Sequence, residues 1–583
     1  MRTFRQDVKT LPTTWPFTGR EDELDLVTGS SATGRHGLVV TGPAGRGKTR
    51  LITHALQGTE HTRVTGTPEA RGLPFAAFAH LLPDTVSLHR AVRLLSGVRL
   101  LVVDDAHLLD EASAALVHQL AAHGRTRLLV AAADEGPAPG AVSRLWTGEL
   151  LPRLALAPLP REDTARLLAA AGLEPLTAAR LHHVCRGDLR LLRDLVTALD
   201  ASGRLAPVPG TGERAWRGPL PVTPAVRERF APAVERCGPG ARDTLERLAF
   251  AEPLPAYPED FDLDVLERLE TDGLVQVDDR GAVTLADPLL GPVLRATTGR
   301  LRGRRLAAGA DACGAALDAE QRMLAERIER LDVRPVPTPV GEWLVAEGAP
   351  LPPGYAAVRA RYARLRGEVR DAAAWAREGL RRTPDDPGCR GELERAQDRS
   401  AETGGGRPRA AVAAGDDVHA LYEAVRLGTP QTAAGRLPAG SVLARHAEAL
   451  AHGDGPALDR VAEALQERGL LLFAAEAHAQ AVRAHRDPRA ARLSRTRALA
   501  LAGRCQGART PALAGLTLGE LTARQRQIVT LAAAGLSNRE IAEQLTLSVR
   551  TVGNHLYSAY TRLGTGDREA LPWLVERRVA SSA

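Results

Sequence analysis

The chain is 583 residues long, with a formal net charge of +6 and a pI near 9.3; at about 150 residues per domain it predicts roughly three to five folded units. Hydrophobic content of 44% with 25% charge is that of a globular protein, and only 3% aromatic content leaves most burial to helices packed through Ala and Leu, so an α-rich chain is expected. The five cysteines (Cys185, Cys237, Cys313, Cys389, Cys505) are scattered without C-x-x-C spacing, which argues against a disulfide framework or zinc site and fits a reducing cytoplasm; no apolar run approaches the roughly 18 residues of a membrane span, so a cytoplasmic protein with no membrane partner is expected.

The first predicted elements alternate strand and helix. Short apolar runs at Leu38–Val40, Leu100–Val103 and Leu128–Ala131 are separated by longer helical patterns, the signature of a parallel α/β sheet. Directly after the first run stands Gly42-Pro43-Ala44-Gly45-Arg46-Gly47-Lys48-Thr49, which satisfies the P-loop pattern in its strand-to-helix context. Gly42, Gly45 and Gly47 allow backbone turns that aim successive amides at phosphate oxygens, and the helix N-terminus adds favourable potential. Lys48 would reach the β- and γ-phosphates of ATP and Thr49 would ligate Mg2+; Ala44, Arg46 and Arg50 complete the expected nucleotide-contacting set. Lys9 and Lys48 are the only lysines in a chain otherwise served by arginine, so a lysine at this position points to a need for a compact ammonium.

Further on, Arg99-Leu100-Leu101-Val102-Val103-Asp104-Asp105-Ala106-His107 has the form of a Walker B segment, an apolar strand ending in acid where open α/β sheets bind ligands. Asp104 is expected to hold the magnesium ion and Asp105 to orient an attacking water.

Pro/Gly clusters at Arg204–Pro224, Val333–Gly354, Ala401–Gly415 and Thr510–Gly515 read as linkers. After Pro224 the pattern is almost wholly helical, interrupted by a hairpin at Leu274–Val277 and Val283–Leu285, which reads as a small winged helical domain. From Tyr355 to Ala502, alanine-rich helical stretches point to stacked pairs of the tetratricopeptide kind or an irregular bundle.

The last region reads as a helix-turn-helix. One helical pattern opens after Thr522 with Ile528, Val529 and Leu531 on one face. A second carries Ile541, Ala542 and Leu545, and a third runs from Val549 to Leu563 with Val552, Leu556 and Leu563 inward. Two short helices joined by a tight turn let the second lie in the major groove of promoter DNA. Arg550, Thr551, Asn554, Tyr557 and Ser558 fall on the face away from the apolar stripe. Asn554 can pair bidentately with adenine, Arg539 and Arg550 can reach phosphates, and Ser537 and Ser548 offer hydroxyls to the backbone. Thr522, Arg524, Asn538 and His555 complete the candidate DNA-contacting set.

Leu521-Thr522, Arg524, Ala534-Gly535-Leu536-Ser537-Asn538-Arg539-Glu540-Ile541-Ala542, Ser548-Val549-Arg550-Thr551-Val552, Asn554-His555-Leu556 and Arg562-Leu563-Gly564 resemble the LuxR-type DNA-binding domain almost throughout. Gln525 replaces a usual glutamate. Gly553 stands where a charged residue is common, which costs that helix about 1 kcal/mol of propensity. Phe17-Thr18-Gly19-Arg20-Glu21 resembles the opening motif of STAND-type ATPases, and so places Arg20 beside the adenine end of the nucleotide. Trp216–Pro224 and Leu285–Arg295 resemble further phrases of the large ATP-binding LuxR regulators. Two departures from that family are Ala133, where an arginine commonly ends the strand after Walker B, and Leu189, where a proline commonly sits.

The resemblance implies residues 1–205 as a P-loop (AAA/STAND-like) nucleotide-binding domain, 220–300 as a winged-helix-like domain, 301–510 as a helical-repeat, TPR-like region and 515–583 as a LuxR-type helix-turn-helix. The whole reads as mainly α with an N-terminal α/β P-loop NTPase domain. The function implied is an ATP-binding transcriptional regulator, usually an activator, with at most slow hydrolysis. Its expected partners are double-stranded promoter DNA, RNA polymerase, a small-molecule or protein inducer at the helical repeats, and further copies of itself on DNA. Two alternatives stay open: a P-loop ATPase enzyme with an incidental helical tail, and a helical-repeat signalling scaffold with a vestigial nucleotide site.

Overall fold

A computed structural model of the chain describes residues 15–32, 37–134, 138–306, 310–397, 418–433, 436–508, 510–514, 516, 523–533, 536–545 and 547–563. The chain divides into two compact units, the main boundary falling at Leu306.

The first unit is built on a five-stranded sheet of β1 (Gly37–Thr41), β2 (Thr62–Thr65), β3 (Leu100–Asp104), β4 (Arg127–Ala132) and β5 (Arg153–Ala155), in the order β2-β3-β4-β1-β5. Every pair is parallel. A parallel sheet must be covered on both faces, so its inner strands read as unbroken apolar runs; all five residues of β1 and of β3 are buried accordingly. Since β4 lies between β1 and β3, the loops after β1 and β3 flank the end of β4 at the sheet's C-terminal edge.

A second core runs without a break from Leu159 through Trp216 to Leu294. The 204–224 stretch expected as a linker instead folds into the antiparallel pair β6 (Leu205–Pro207) and β7 (Arg214–Trp216). Trp216 is buried in that core, with the Arg180 guanidinium 3.5 Å from its ring centroid. Proline and glycine mark tight turns inside a folded unit as readily as they mark linkers. The same correction holds for 333–354, which contains the helix Pro339–Glu347 and the buried Val333; 401–415 lies outside the described residues. The hairpin expected near 274–285 is present as β8 (Val275–Val277) and β9 (Val283–Leu285), followed by the helix Leu290–Thr297.

The second unit is helical. Short connections make sequential helices antiparallel neighbours, as in Pro353–Leu365 with Val369–Arg382, and in Gly455–Glu467, Leu471–Ala484 and Pro488–Arg504. The first pair turns at Gly367, whose φ of +86° favours glycine. Ala474, Ala475, Ala477, Ala479 and Ala481 are all buried on the Leu471–Ala484 helix, and their small side chains allow close approach from both sides. Within this packing sits a buried polar network. Arg426 makes two hydrogen bonds to Glu476, at 2.7 and 2.9 Å, while His446 lies between Tyr422 (2.6 Å) and Gln480 (2.7 Å). Burial holds the His446 imidazole at a pKa of about 4.

Among the described residues, no helix is long and apolar enough to cross a membrane.

Candidate nucleotide site and nucleic-acid interface

The P-loop spans the turn from β1 into the helix Lys48–Ala55, which begins directly after Gly47. Gly45 and Gly47 have φ of +77° and +89°, conformations that L side chains resist. Gly45 also has no room for a side chain, since a Cβ there would stand 1.9 Å from Asp188 Oδ1. Lys48 is buried, and its Nζ donates to the Gly42 and Pro43 carbonyls at 2.6 and 2.8 Å. Thr49 Oγ1 donates to Asp104 Oδ1 at 3.0 Å. The two oxygen groups expected to hold magnesium are thus together, although 55 residues apart in sequence. The donor set of Lys48, Thr49 and Asp104 fits a nucleoside triphosphate with a hard divalent cation.

The contacts of three neighbours were not legible in the sequence. Arg63, on the edge strand β2, pairs with the other oxygen of Asp104. His107 accepts at Nδ1 from the Ala133 amide at 3.2 Å, so it reaches the end of β4 where the arginine is lacking. Burial holds this imidazole below its ordinary pKa, and the neutral ring can accept that hydrogen bond. Burial and then the adjacent Asp104 charge push the Asp105 carboxyl above its ordinary range, against the opposite pull of His107, Lys48 and Arg63. Asp105 itself sits at φ +47°.

The third neighbour is the segment Arg186–Leu189. Leu189 begins the helix Leu189–Ala201, and its amide donates to the Gly45 carbonyl at 2.9 Å. Asp188 caps that helix by accepting from Arg190 N and Leu191 N, each at 3.0 Å. Arg46 donates to the Arg186 carbonyl at 2.6 Å. From the helix Pro224–Arg236, Arg229 lies 4.0 Å from Asp188 and 3.3 Å from Asp287. The phosphate loop is therefore connected by hydrogen bonds and charge to the residues that follow β9. Of the other predicted contacts, Arg20 is buried, paired with Glu23 at 2.7 Å and bonded to the Ala157 carbonyl at 2.6 Å. Arg50 donates to the Trp15 carbonyl, and Phe17 stacks on His54 with ring centroids 4.3 Å apart.

In the second unit the helices Ala523–Ala533, Asn538–Leu545 and Val549–Leu563 close around Ile528, Val529, Ala532, Ile541, Ala542, Val552, Leu556 and Ala559. Both ends that matter are capped. Ser537 and Glu540 form a reciprocal capping box, with Ser537 N to Glu540 Oε2 at 2.6 Å and Glu540 N to Ser537 Oγ at 3.3 Å. Ser548 Oγ accepts from Thr551 N at 3.0 Å and so caps the third helix. Asn554, Ser548, Ser537 and Arg539 are exposed; Thr551, His555 and Asn538 are half-buried. Arg524 is half-buried and donates to the Leu545 carbonyl at 2.7 Å and to Gln527 at 2.9 Å. Arg550, Tyr557 and Ser558 lie on the third helix, and Thr522 lies outside the described residues.

The chain thus combines a P-loop α/β fold, a helical middle and a C-terminal helix-turn-helix. Residues 519–573 match the luxR family of bacterial regulatory proteins, and this segment is a LuxR-type DNA-binding domain. Curated relatives named as HTH-type transcriptional regulators occur in Mycobacterium bovis and Mycobacterium tuberculosis; each is 40% identical over 92 residues, 16% of this chain and 10% of the relative. The Escherichia coli protein named HTH-type transcriptional regulator YhjB is 51% identical over 51 residues, 9% of this chain and 26% of its own. The chain therefore matches only a small part of these relatives' length. A STAND protein with a tetratricopeptide repeat sensor from Pyrococcus horikoshii aligns with 96% of this chain and 78% of its own at 13% identity and a TM-score of 0.25. The Walker-type ATPase of Pyrococcus abyssi aligns with 47% and 95% at 14% identity and a TM-score of 0.28. At those scores neither likeness carries weight.

Proposed function

We propose that the protein is a transcriptional regulator that reads promoter DNA through the helix Val549–Leu563 and is switched by ATP and Mg2+ at Lys48, Thr49 and Asp104. The observation that carries the reading is the Ser548-capped helix with Asn554 exposed on it, inside the segment that matches the luxR family. Asn554 is the residue for bidentate adenine recognition, while Arg539, Arg550, Ser537 and Ser548 serve the phosphate backbone. Arg524 braces the domain through its bond to Leu545.

At the nucleotide site ATP would supply a triphosphate charge bridged by magnesium. Lys48 and the loop amides would hold the phosphates, Thr49 and Asp104 would hold the ion, and Arg20 would lie at the adenine end. Arg63 must share Asp104 with that ion or release it. The contacts from Gly45 to Leu189, and from Asp188 through Arg229 to Asp287, give the loop a physical route to the winged element. Asp105 would orient water in any hydrolysis, but the alanine at position 133 favours ATP occupancy over turnover as the signal. The domain limits 1–205, 220–300, 301–510 and 515–583 belong to the same proposal, as do an effector at the helical region, RNA polymerase as a partner and self-association on DNA.

The test is equilibrium binding of the full chain to a promoter duplex with ATP, with ADP and without nucleotide, alongside ATP turnover. Tighter DNA binding with ATP, lost in Lys48→Ala and unaffected when hydrolysis is blocked, is expected. DNA binding that tracks turnover would contradict the occupancy switch, and rapid ATP consumption indifferent to DNA would favour a P-loop enzyme.

A further inference from the structure

The helical unit holds a cleft of about 450 Å3 between the helices Gly455–Glu467 and Pro488–Arg504, reaching His478 on the helix packed against both. Spaces of roughly 300–1,000 Å3 with a few convergent polar groups are typical of small-molecule sites. The polar groups here are Glu463, Gln466, His478, Arg497 and Arg504.

Their chemistry is ordered from behind. Asp459 accepts from His478 Nδ1 at 2.7 Å, from His485 Nε2 at 2.7 Å and from Ser494 Oγ at 2.8 Å. Burial works to raise the Asp459 carboxyl, but the hydrogen bonds from His485, His478 and Ser494 outweigh it and hold the group below its ordinary range. An ionised carboxylate only accepts, so the His478 proton sits on Nδ1. Burial keeps this ring below its ordinary pKa, hence neutral, despite the Asp459 bond. A neutral ring protonated at Nδ1 has Nε2 as an acceptor. A half-buried carboxylate that fixes one imidazole tautomer is how binding sites orient a histidine.

The wall has the opposite character. Arg497 and Arg504 are seven residues apart, two turns along one helix face, and both line the cleft. Arg497 is paired with Glu463 at 2.8 Å, and Arg504 is exposed. The cleft is therefore lined by a histidine whose free ring nitrogen is an acceptor and by two guanidinium donors.

We propose that this cleft binds a small hydroxylated anion, a hydroxy acid or a sugar phosphate. A ligand hydroxyl donates to His478 Nε2, and the carboxylate or phosphate takes the Arg504 and Arg497 guanidiniums. The proposal deepens the reading of the helical region as the effector-sensing part and rests on that reading for its regulatory meaning, though binding itself does not depend on it.

The experiment is calorimetric titration of the full chain, without DNA or nucleotide, using citrate, lactate, glycerol 3-phosphate and glucose 6-phosphate as probes. Tricarballylate, propionate, inorganic phosphate and glucose are the matched controls lacking the hydroxyl or the charge. Saturable binding of at least one probe is expected, with its control and the Arg504→Ala variant each weaker by about tenfold or more. The acid and phosphate arms identify which anion is preferred. His478→Gln should reduce the preference for the hydroxylated partner. No saturable binding by any probe, or binding that survives both Arg504→Ala and Arg497→Ala, would overturn the proposal. Because DNA and ATP are absent, failure of the regulator reading leaves this measurement intact, and failure here leaves the DNA and ATP tests standing.

Discussion

Leu189→Pro is the sharpest probe of how the phosphate loop is held. Leu189 is the first residue of its helix, a position where proline is well tolerated because the helix needs no amide there. What proline removes is the donor to the Gly45 carbonyl, a 2.9 Å hydrogen bond. A bond of this kind contributes about 1 kcal/mol net, so a loop that loses it should bind ATP roughly fivefold more weakly. Trimming the leucine side chain also removes apolar contact with the neighbouring core, roughly 1 kcal/mol or less of stability for a half-buried group. Leu189→Ala separates the two effects, since it trims the side chain but keeps the amide. Titration calorimetry with ATP and Mg2+ should show the alanine variant within about twofold of the parent and the proline variant clearly weaker. Equal affinity in the two variants would refute the claim that this amide organises the loop.

Other expectations follow from single contacts. Asn554→Ala should weaken binding to the preferred duplex by about 1 to 3 kcal/mol and hardly alter binding to random DNA; equal losses on both would remove base reading from this residue. Ser548→Ala takes away the cap on Thr551 N and should destabilise the DNA-binding domain by about 1 kcal/mol, read as a lower urea midpoint, with an unchanged midpoint counting against the cap. His446 has a folded pKa of about 4 against an ordinary 6.5. The unfolded chain therefore takes up the proton first as pH falls. Stability is full above pH 6.5 and declines between 6.5 and 4, by roughly 3 kcal/mol in total. Urea unfolding of the helical unit should follow that slope, and His446→Gln should flatten it.

The parts legible in the sequence were those whose physics is local. Three buried strands announced themselves as apolar runs, and the P-loop and Walker B segment stood at their ends. The contact between Thr49 and Asp104 followed once both motifs were assigned to one sheet. The two remaining strands were missed because Thr62–Thr65 and Arg153–Ala155 are short edge strands with little apolar signal. Arg63 sits on one of them, and nothing in its neighbours says that it faces an acid 41 residues away. His107 lay inside a quoted motif, but its tie to Ala133 depends on β3 and β4 being adjacent. Proline and glycine misled at 204–224, where they shape a hairpin around buried Trp216. In the last domain the apolar stripe was read correctly at Val552 and Leu556, with Ala559 completing the core face. The bond from Arg524 to a helix-terminal carbonyl was beyond reach of pattern alone. The His478 cleft is built from three helices by tertiary packing, and no spacing in the sequence marks it.

The most direct measurement is selection from a pool of randomised duplexes by the full chain, run with ATP and Mg2+, with ADP, and without nucleotide. ATP is expected to enrich one sequence, as two half-sites about 10 bp apart, and Asn554→Ala to abolish the enrichment. A pool that emerges unenriched under all three conditions would contradict this expectation.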